Sequence, residues 1–158
     1  MTAWDGDKLI TALVDHGINC EDINYVISTH GHSDHIGCNY LFPKATHIVG
    51  FCISQKDRYF HHDFKSGKEY RINDKITIIP TPGHTLQDVT VIINSGKGTI
   101  AITGDLFERE DDLSNCNIWK SAGSDSEELQ VMNRLKILQL ADYIIPGHGA
   151  MFKTDKYK

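Results

Sequence analysis

Four side chains of metal-ligand type lie within six positions of one segment, Ser28–Asn39, whose sequence is STHGHSDHIGCN. They are His30, His32, Asp34 and His35. Imidazole nitrogens and carboxylate oxygens are the ligands that zinc and similar first-row metals take in proteins. The His-x-His-x-Asp-His spacing in a tight loop points alternate side chains to different sides. We therefore predict that His30 and His32 bind one metal, and that Asp34 and His35 bind a second.

Three more residues of ligand type follow the ends of later apolar segments. They are His84 in Thr-Pro-Gly-His, Asp105 in Thr-Gly-Asp and His148 in Pro-Gly-His. The ends of strands in a rigid sheet are where functional residues collect. We predict that His84 completes the first site, that His148 completes the second, and that Asp105 gives one oxygen to each metal. Neighbouring glycines are expected to let the backbone turn tightly; they are Gly31, Gly83, Gly104, Gly147 and Gly149.

Two bridged metals about 3.5–4 Å apart form a clamp for hydrolysis. They lower the pKa of a shared hydroxide to about 7 and polarise the bond being cut. The sequence contains neither a GxSxG elbow nor a Walker loop. It therefore predicts a dinuclear metal-dependent hydrolase, in which Asp34 is also catalytic because it orients the nucleophile or passes on a proton.

A single histidine is more often structural than catalytic, but the cluster followed by three ligands at strand ends makes coincidence a poor explanation. The remaining histidines have no partner in this scheme, and we assign them to surface or packing roles. They are His16, His47, His61 and His62.

The chain has 158 residues and a formal net charge of −5. This length predicts one domain over residues 1–158, and the charge argues against a broad electrostatic footprint for nucleic acid. No apolar run approaches the roughly 20 residues of a membrane span, and no secretory signal is visible at the start. We therefore predict a cytoplasmic protein, with the nucleus as a second compartment. We interpret four cysteines as reduced, partly buried small hydrophobes; they are Cys20, Cys38, Cys52 and Cys116.

The elements that must position these ligands follow from apolar periodicity. One amphipathic helix is predicted in 5–17 and another in 124–138, the latter with an apolar stripe of Leu129, Met132, Leu135 and Leu138. Strands are predicted at 24–29 and 46–50, around the turn 73–75, in a hairpin of 88–94 with 99–103, and in the run before Pro146.

In this order the motifs THGHSDH, TPGHT, TGD and PGHG resemble those of the metallo-β-lactamase superfamily. The resemblance covers about Asp5 to Phe152. It implies an α/β fold, the four-layer αβ/βα sandwich, and the ligand assignment given above. The bridging Asp105 is absent from the antibiotic-hydrolysing members but present in glyoxalase II-like thioesterases and in RNA-cutting members.

A narrower resemblance rests on THGHSDHIG, TPGHTLQDVTV, GDLFERE and IIPGHGAMF. These runs are similar to a subgroup associated with endonucleolytic cleavage of RNA, in particular 3′-end processing of histone pre-mRNA. The resemblance implies an RNA substrate, and aromatic residues at Tyr59–His62 and Trp119 are candidates to stack on its bases. Zinc is expected from the ligand types, with iron or manganese as alternatives. A small thioester substrate, or a metal-binding module without turnover, remains open.

Members of this superfamily usually begin with several strands before the first helix, whereas here Met1 is followed at once by TAWDGDKLI. The resemblance therefore implies a fold that lacks the usual opening strands. A first sheet shortened in this way would leave an exposed edge. Because homodimers are common in the subgroup, we expect a second copy to cover it.

Overall fold

The computed structural model describes residues 1–157, which divide into two compact units, Met1–His62 and a second that begins at Asp63. Each unit contains one β-sheet. Among the described residues, no helix combines the length and the apolar character needed to cross a bilayer. The prediction of a single domain over residues 1–158 stays a prediction.

The first unit contains a four-stranded sheet and two helices. Its strands lie in the order β1-β2-β3-β4, with β1 parallel to β2 and the other pairs antiparallel. The predicted helix and the first two predicted strands are confirmed, but the hairpin of β3 and β4 was not predicted, because most of its side chains are exposed and show no apolar alternation. The elements are α1 (Gly6–Asp15), β1 (Tyr25–Ser28), α2 (Ser33–Ile36), β2 (Thr46–Val49), β3 (Cys52–Gln55) and β4 (Arg58–Phe60).

The second unit contains a six-stranded sheet in the order β10-β9-β8-β7-β6-β5, in which only the pair β8–β9 is parallel. The predicted hairpin of β7 and β8, the strands β6 and β9, and the helix α4 are confirmed. The elements are β5 (Tyr70–Arg71), β6 (Ile76–Pro80), β7 (Val89–Ser95), β8 (Gly98–Gly104), α3 (Asn117–Ala122), α4 (Glu127–Leu140), β9 (Tyr143–Pro146) and β10 (Phe152–Lys153).

The core of the second unit combines residues of the sheet with residues of α4 and of the loop after β8. Ile79 of β6 and Ile92 of β7 lie on the face of the sheet that points into it, because successive side chains of a strand face opposite sides. Its buried members are Ile79, Ile92, Ala101, Leu106, Phe107, Ile137, Leu138, Ala141, Ile144 and Phe152.

Helix α4 buries only part of its predicted apolar stripe, and the expectation that the stripe faces the core is wrong for Met132 and Leu135. Met132 and Leu135 are each 56% exposed, although Leu138 is buried. The buried residues of the helix instead include three polar ones, Gln130, Asn133 and Arg134, beside Ile137 and Leu138. The helix is oriented in this way because its polar side chains bind the carbonyl groups of two loops that carry predicted metal ligands.

Candidate metal centre

In the first unit, the predicted ligands occupy the loop after β1 and the first turn of α2. The Nε2 atom of His30 lies 2.9 Å from Nδ1 of His32. The Nε2 atom of His35 lies 3.4 Å from Oδ2 of Asp34. The hydroxyl of Ser28, at the end of β1, donates a hydrogen bond to the carbonyl of His35 at 3.2 Å. Each pair predicted to share a metal is therefore a pair of close neighbours, and His35 is also tied to the end of the strand.

In the second unit, the three predicted ligands converge from the ends of three strands. Asp105 is buried and follows β8, whereas His84 and His148 follow β6 and β9. His84 Nε2 lies 3.5 Å from Asp105 Oδ2, and His148 Nε2 lies 3.5 Å from Asp105 Oδ1. Each histidine thus faces a different oxygen of one carboxylate.

These separations fit metal ligation better than direct hydrogen bonding. A hydrogen bond between nitrogen and oxygen is normally about 2.7–3.2 Å long. Two donors that each lie about 2.1 Å from one tetrahedral zinc ion are about 3.4 Å apart, close to the 3.5 Å observed on both sides of Asp105. The donor set of the second unit therefore fits a carboxylate shared by two ions.

The orientation of His84 is set by its second ring nitrogen. Nδ1 lies 2.8 Å from the carbonyl oxygen of Gly123. Because a carbonyl only accepts, Nδ1 donates to it, and in the neutral imidazole Nε2 is then the atom that carries the lone pair. A hydrogen bond of this kind fixes the tautomer and ring position of a metal-binding histidine.

A buried carboxylate, Asp88, closes the loop that carries His84. Its two oxygens accept hydrogen bonds from the amide and the hydroxyl of Thr85, at 2.7 and 2.6 Å. Burial raises the pKa of Asp88 to about 6, although the bonds from Thr85 oppose the shift. The Asp88 carboxyl group therefore holds the loop by its hydrogen bonds to Thr85, but burial makes its ionised form less favourable than in water.

Helix α4 holds the loops of His84 and Asp105 by side-chain donors. Asn133 Nδ2 donates to the carbonyl of Pro82 at 2.7 Å, and Gln130 Nε2 donates to the carbonyl of Asp105 at 3.1 Å. A Cβ at Gly83 would overlap the backbone of Gln130, so only glycine lets this loop approach the helix so closely.

A buried ion pair continues this network. The guanidinium of Arg134 contacts Asp112 at 2.5 Å and donates to the carbonyl of Leu106 at 2.7 Å. Asp112 in turn accepts the amide hydrogen of Glu108 at 2.7 Å. The guanidinium also lies 4.2 Å from the ring centroid of Phe107. The segment after Asp105 is therefore fixed from both its backbone and its side chains.

Glycine at position 147 is required by Asp105 itself. A Cβ there would overlap Oδ1 of Asp105, the oxygen that faces His148. The Gly147 amide donates to the carbonyls of Gly104 and Phe107, at 3.0 and 2.9 Å. The predicted role of these glycines is to let the backbone turn tightly beside the ligands. Gly147 allows close packing against Asp105, and Gly104 adopts a φ of 53°.

One buried carboxylate beside Asp105, that of Glu108, was missed by the sequence analysis. Ligand atoms of Asp105, Glu108 and His148 lie within 4.8 Å of one another. Burial, followed by the charge of Asp105, raises the pKa of Glu108. The available signal was its position in GDLFERE, three residues after Asp105.

The remaining sequence predictions have mixed outcomes. Trp119 is buried in α3 and cannot meet a substrate, so that prediction is wrong. Tyr59 is 77% exposed on β4, and its role in binding stays a prediction. All cysteines are free, but Cys52 and Cys116 are exposed, which corrects their description as partly buried. His47, which was assigned a surface or packing role, binds the carbonyl of Phe42 through Nε2 at 2.9 Å, in keeping with packing.

Comparison with known proteins identifies the class to which this fold and these ligands belong. The model of the metallo-β-lactamase superfamily matches residues 2–79. A "Probable metallo-hydrolase" from Methanocaldococcus jannaschii is 32% identical over 148 residues, which cover 94% of this chain and 68% of that protein. The chain belongs to the metallo-β-lactamase superfamily.

Within the superfamily, the chain is similar to proteins named metallo-β-lactamase domain-containing protein 1. The Xenopus laevis protein is 38% identical over 157 residues, covering 98% of this chain and 66% of that protein. The human protein is 36% identical over 155 residues, covering 96% of this chain and 56% of that protein. The similarity to this subgroup is thus confirmed, whereas its association with RNA cleavage stays a prediction for this chain. The chain spans 56–66% of the length of these relatives.

A solved structure confirms the fold class. The crystal structure of an N-acyl homoserine lactone hydrolase, with the product N-hexanoyl-L-homoserine bound at its catalytic metal centre, matches with a TM-score of 0.63. It is 18% identical, and the match covers 89% of this chain and 61% of that one. At this identity the similarity concerns the fold: a mixed α/β architecture with two sheets and helices.

Proposed function

We propose that this protein is a dinuclear metal-dependent hydrolase that cleaves phosphodiester bonds in RNA. One observation carries the metal-dependent part: the Asp105 carboxylate has a histidine 3.5 Å from each of its oxygens. Membership of a superfamily of metallo-hydrolases supports hydrolysis as the reaction.

The proposed ligand sets are those predicted from the sequence. His30, His32 and His84 would hold the first ion, Asp34, His35 and His148 the second, with Asp105 shared. Such ions, when bound, supply a nucleophilic water at neutral pH and polarise the scissile bond. Zinc is the proposed metal because histidine nitrogens dominate the set, and iron or manganese are the alternatives.

Some of the proposed ligands are buried, and others are partly exposed to solvent. His84 and Asp105 are buried and serve to exclude water and fix geometry. The Asp34 carboxylate is partly exposed, and so is the His148 ring. We assign to Asp34 the orientation of the attacking water and the acceptance of its proton, because a carboxylate that solvent can reach can then release that proton.

The choice of RNA depends on the similarity to metallo-β-lactamase domain-containing protein 1 and on exposed aromatic side chains. Tyr59 and Phe60 are both exposed on β4. Unpaired bases stack on such rings with little regard to sequence. The net charge of −5 implies local binding and not a broad electrostatic attraction.

An acyl substrate is the second candidate, because the lactone hydrolase shares the fold and the same ligand chemistry serves esters and thioesters. The decisive assay offers metal-loaded protein single-stranded RNA, S-lactoylglutathione, N-hexanoyl homoserine lactone and a simple phosphodiester. The His32→Ala variant tests the ligand set, and the His16→Ala variant is the matched control, because His16 is exposed and lies outside both the ligand set and the segment Tyr59–His62. We expect RNA cleavage by wild type and by His16→Ala, lost in His32→Ala.

Other outcomes assign other functions. Cleavage of the lactone or thioester alone would replace RNA by an acyl substrate. Two bound ions without turnover of any substrate would indicate a metal-binding module. Elemental analysis of the purified protein identifies the metal in each case.

The proposed homodimer has a separate test. Trp4 is 90% exposed and Val14 on α1 is also exposed, and a second copy that covered them would remove apolar surface from water. We expect size-exclusion chromatography with light scattering to give twice the monomer mass at micromolar concentration. A folded monomer under these conditions would contradict the proposal.

A further inference from the structure

The side chains of Asp105, Glu108 and His148 meet in the second unit at distances suited to one cation. Their ligand atoms lie within 4.8 Å of one another. His148 Nε2 lies 3.5 Å from Asp105 Oδ1 and 4.0 Å from Glu108 Oε2. Two ligands that are each about 2.1 Å from one ion are at most about 4.2 Å apart. Both measured distances therefore allow a shared ion.

The burial of Glu108 indicates that a partner of positive charge belongs beside it. Its side chain is only 10% exposed. Its Oε1 atom is buried and accepts no hydrogen bond from any residue in 1–157. An ionised carboxylate removed from water is strongly unfavourable unless it is paired or binds a metal. A cation between Glu108, Asp105 and His148 supplies that partner.

The backbone on both sides of this carboxylate is fixed. The amide of Glu108 donates to Asp112 Oδ2 at 2.7 Å, and the carbonyl of Glu108 accepts from the amide of His148 at 2.9 Å. Asp112 is itself held by Arg134 at 2.5 Å. The position of Glu108 relative to His148 is thus set by the backbone, which is the preorganisation that a metal ligand needs.

We propose that Glu108 is an eighth ligand, which binds the metal ion on the His148 side of Asp105. This inference rests on the proposed metal-bound function and goes beyond it, because the seven ligands of that proposal leave Glu108 without a role. An added carboxylate makes the ligand set harder, and carboxylates suit Mn²⁺ better than they suit soft metals. The site on the His148 side is therefore expected to take Mn²⁺ more readily than the site on the His84 side.

The test measures metal binding rather than activity. Apo protein is titrated with Zn²⁺, Co²⁺ and Mn²⁺ against a chelator, and the visible absorption of the Co²⁺ form is recorded. Glu108→Gln removes the charge with little change of shape, and Glu108→Asp keeps the charge on a shorter side chain. Glu110→Gln is the matched control, since this carboxylate lies in the same segment but binds the Tyr157 hydroxyl at 3.0 Å.

Glu108→Gln is expected to weaken one of two binding events by about 10–100-fold, as loss of groups around a metal typically does, and to change the Co²⁺ spectrum. Glu108→Asp is expected to lie between this variant and wild type, and Glu110→Gln to match wild type. Circular dichroism of the apo forms checks folding; if Glu108→Gln is unfolded, the test rests on Glu108→Asp. Two ions bound to Glu108→Gln with unchanged affinity and spectrum would overturn this inference alone. Failure of wild type to bind any ion would overturn the proposed function as well.

Discussion

The two units present their predicted ligands in opposite ways. In the first, His30, His32, Asp34 and His35 lie within six positions, on one loop and the helical turn that follows it. In the second, three ligands come from the ends of three strands and meet only after the sheet has formed. The difference teaches that a local cluster is organised by its own loop, whereas a dispersed one requires a scaffold of other residues.

That scaffold is the polar face of α4 and the ion pair behind it. Asn133 and Gln130 bind the loops of His84 and Asp105, and Arg134 binds the segment between Asp105 and Glu108. In the first unit the ligand loop is held by local bonds, such as the one from the Ser28 hydroxyl to the carbonyl of His35. Variants that remove each kind of support test whether this contrast is real.

The largest effect is expected at the buried ion pair. Asp112→Ala leaves the guanidinium of Arg134 buried without its carboxylate, and breaking such a pair typically costs about 3–5 kcal/mol. The first unit offers a matched control, Glu21→Ala, because Glu21 pairs with Lys44 at 2.5 Å on an exposed surface. Exposed pairs contribute little to stability. Urea unfolding of the apo proteins measures both changes, and equal losses would refute the contrast.

The next effect is a pH dependence that belongs to the loop of His84. The folded-state pKa of Asp88 is raised from 3.8 to about 6, so the folded state binds more protons than the unfolded state between these values. The extra proton bound by the folded state stabilises it fully below pH 3.8, and this stabilisation is lost as the pH rises through about 6. The difference corresponds to about 3 kcal/mol.

Asp88→Asn isolates this contribution, because an amide can accept from the Thr85 amide and donate to the Thr85 hydroxyl. Relative to this variant, apo wild type should lose stability as the pH rises from 4 to 7. Unfolding in urea at several pH values gives the difference between the two proteins. A difference that does not vary with pH would show that Asp88 is not the buried acid described here.

A third effect compares one glycine from each unit. In Gly147→Ala the new methyl group overlaps Asp105 Oδ1, whereas in Gly31→Ala nothing lies within 4 Å of it. Overpacking typically costs about 1–3 kcal/mol, and here it also displaces a proposed shared ligand. We expect Gly147→Ala to bind fewer than two metal ions per chain and Gly31→Ala to bind as many as wild type. Elemental analysis after dialysis measures this, and full loading of Gly147→Ala would contradict it.

The candidate ligands could be predicted from the sequence, whereas most of the residues that hold them in place could not. The first cluster could be predicted because its spacing is local, and the strands β6, β8 and β9 because apolar runs precede each later ligand. The orientation of α4 could not, since Met132 and Leu135 predict burial by hydrophobicity. The orientation of α4 is decided by the carbonyls of distant loops, which need hydrogen-bond donors from this helix. That need for tertiary contacts overrides the hydrophobic pattern of the helix alone. Glu108 was missed for the same reason, because its burial depends on those loops.

The smallest effect tests this reversal of α4 directly. Asn133→Ala leaves the carbonyl of the half-buried Pro82 without its 2.7 Å bond, and loss of a typical hydrogen bond costs about 0.5–1.5 kcal/mol. Met132→Ala, at the preceding residue of the same helix, removes a side chain that is mostly in solvent and should change stability by less than about 0.5 kcal/mol. Paired urea titrations decide between the two faces. If Met132→Ala proves the more damaging variant, the helix buries its apolar side after all, and the loops of His84 and Asp105 must be held by something else.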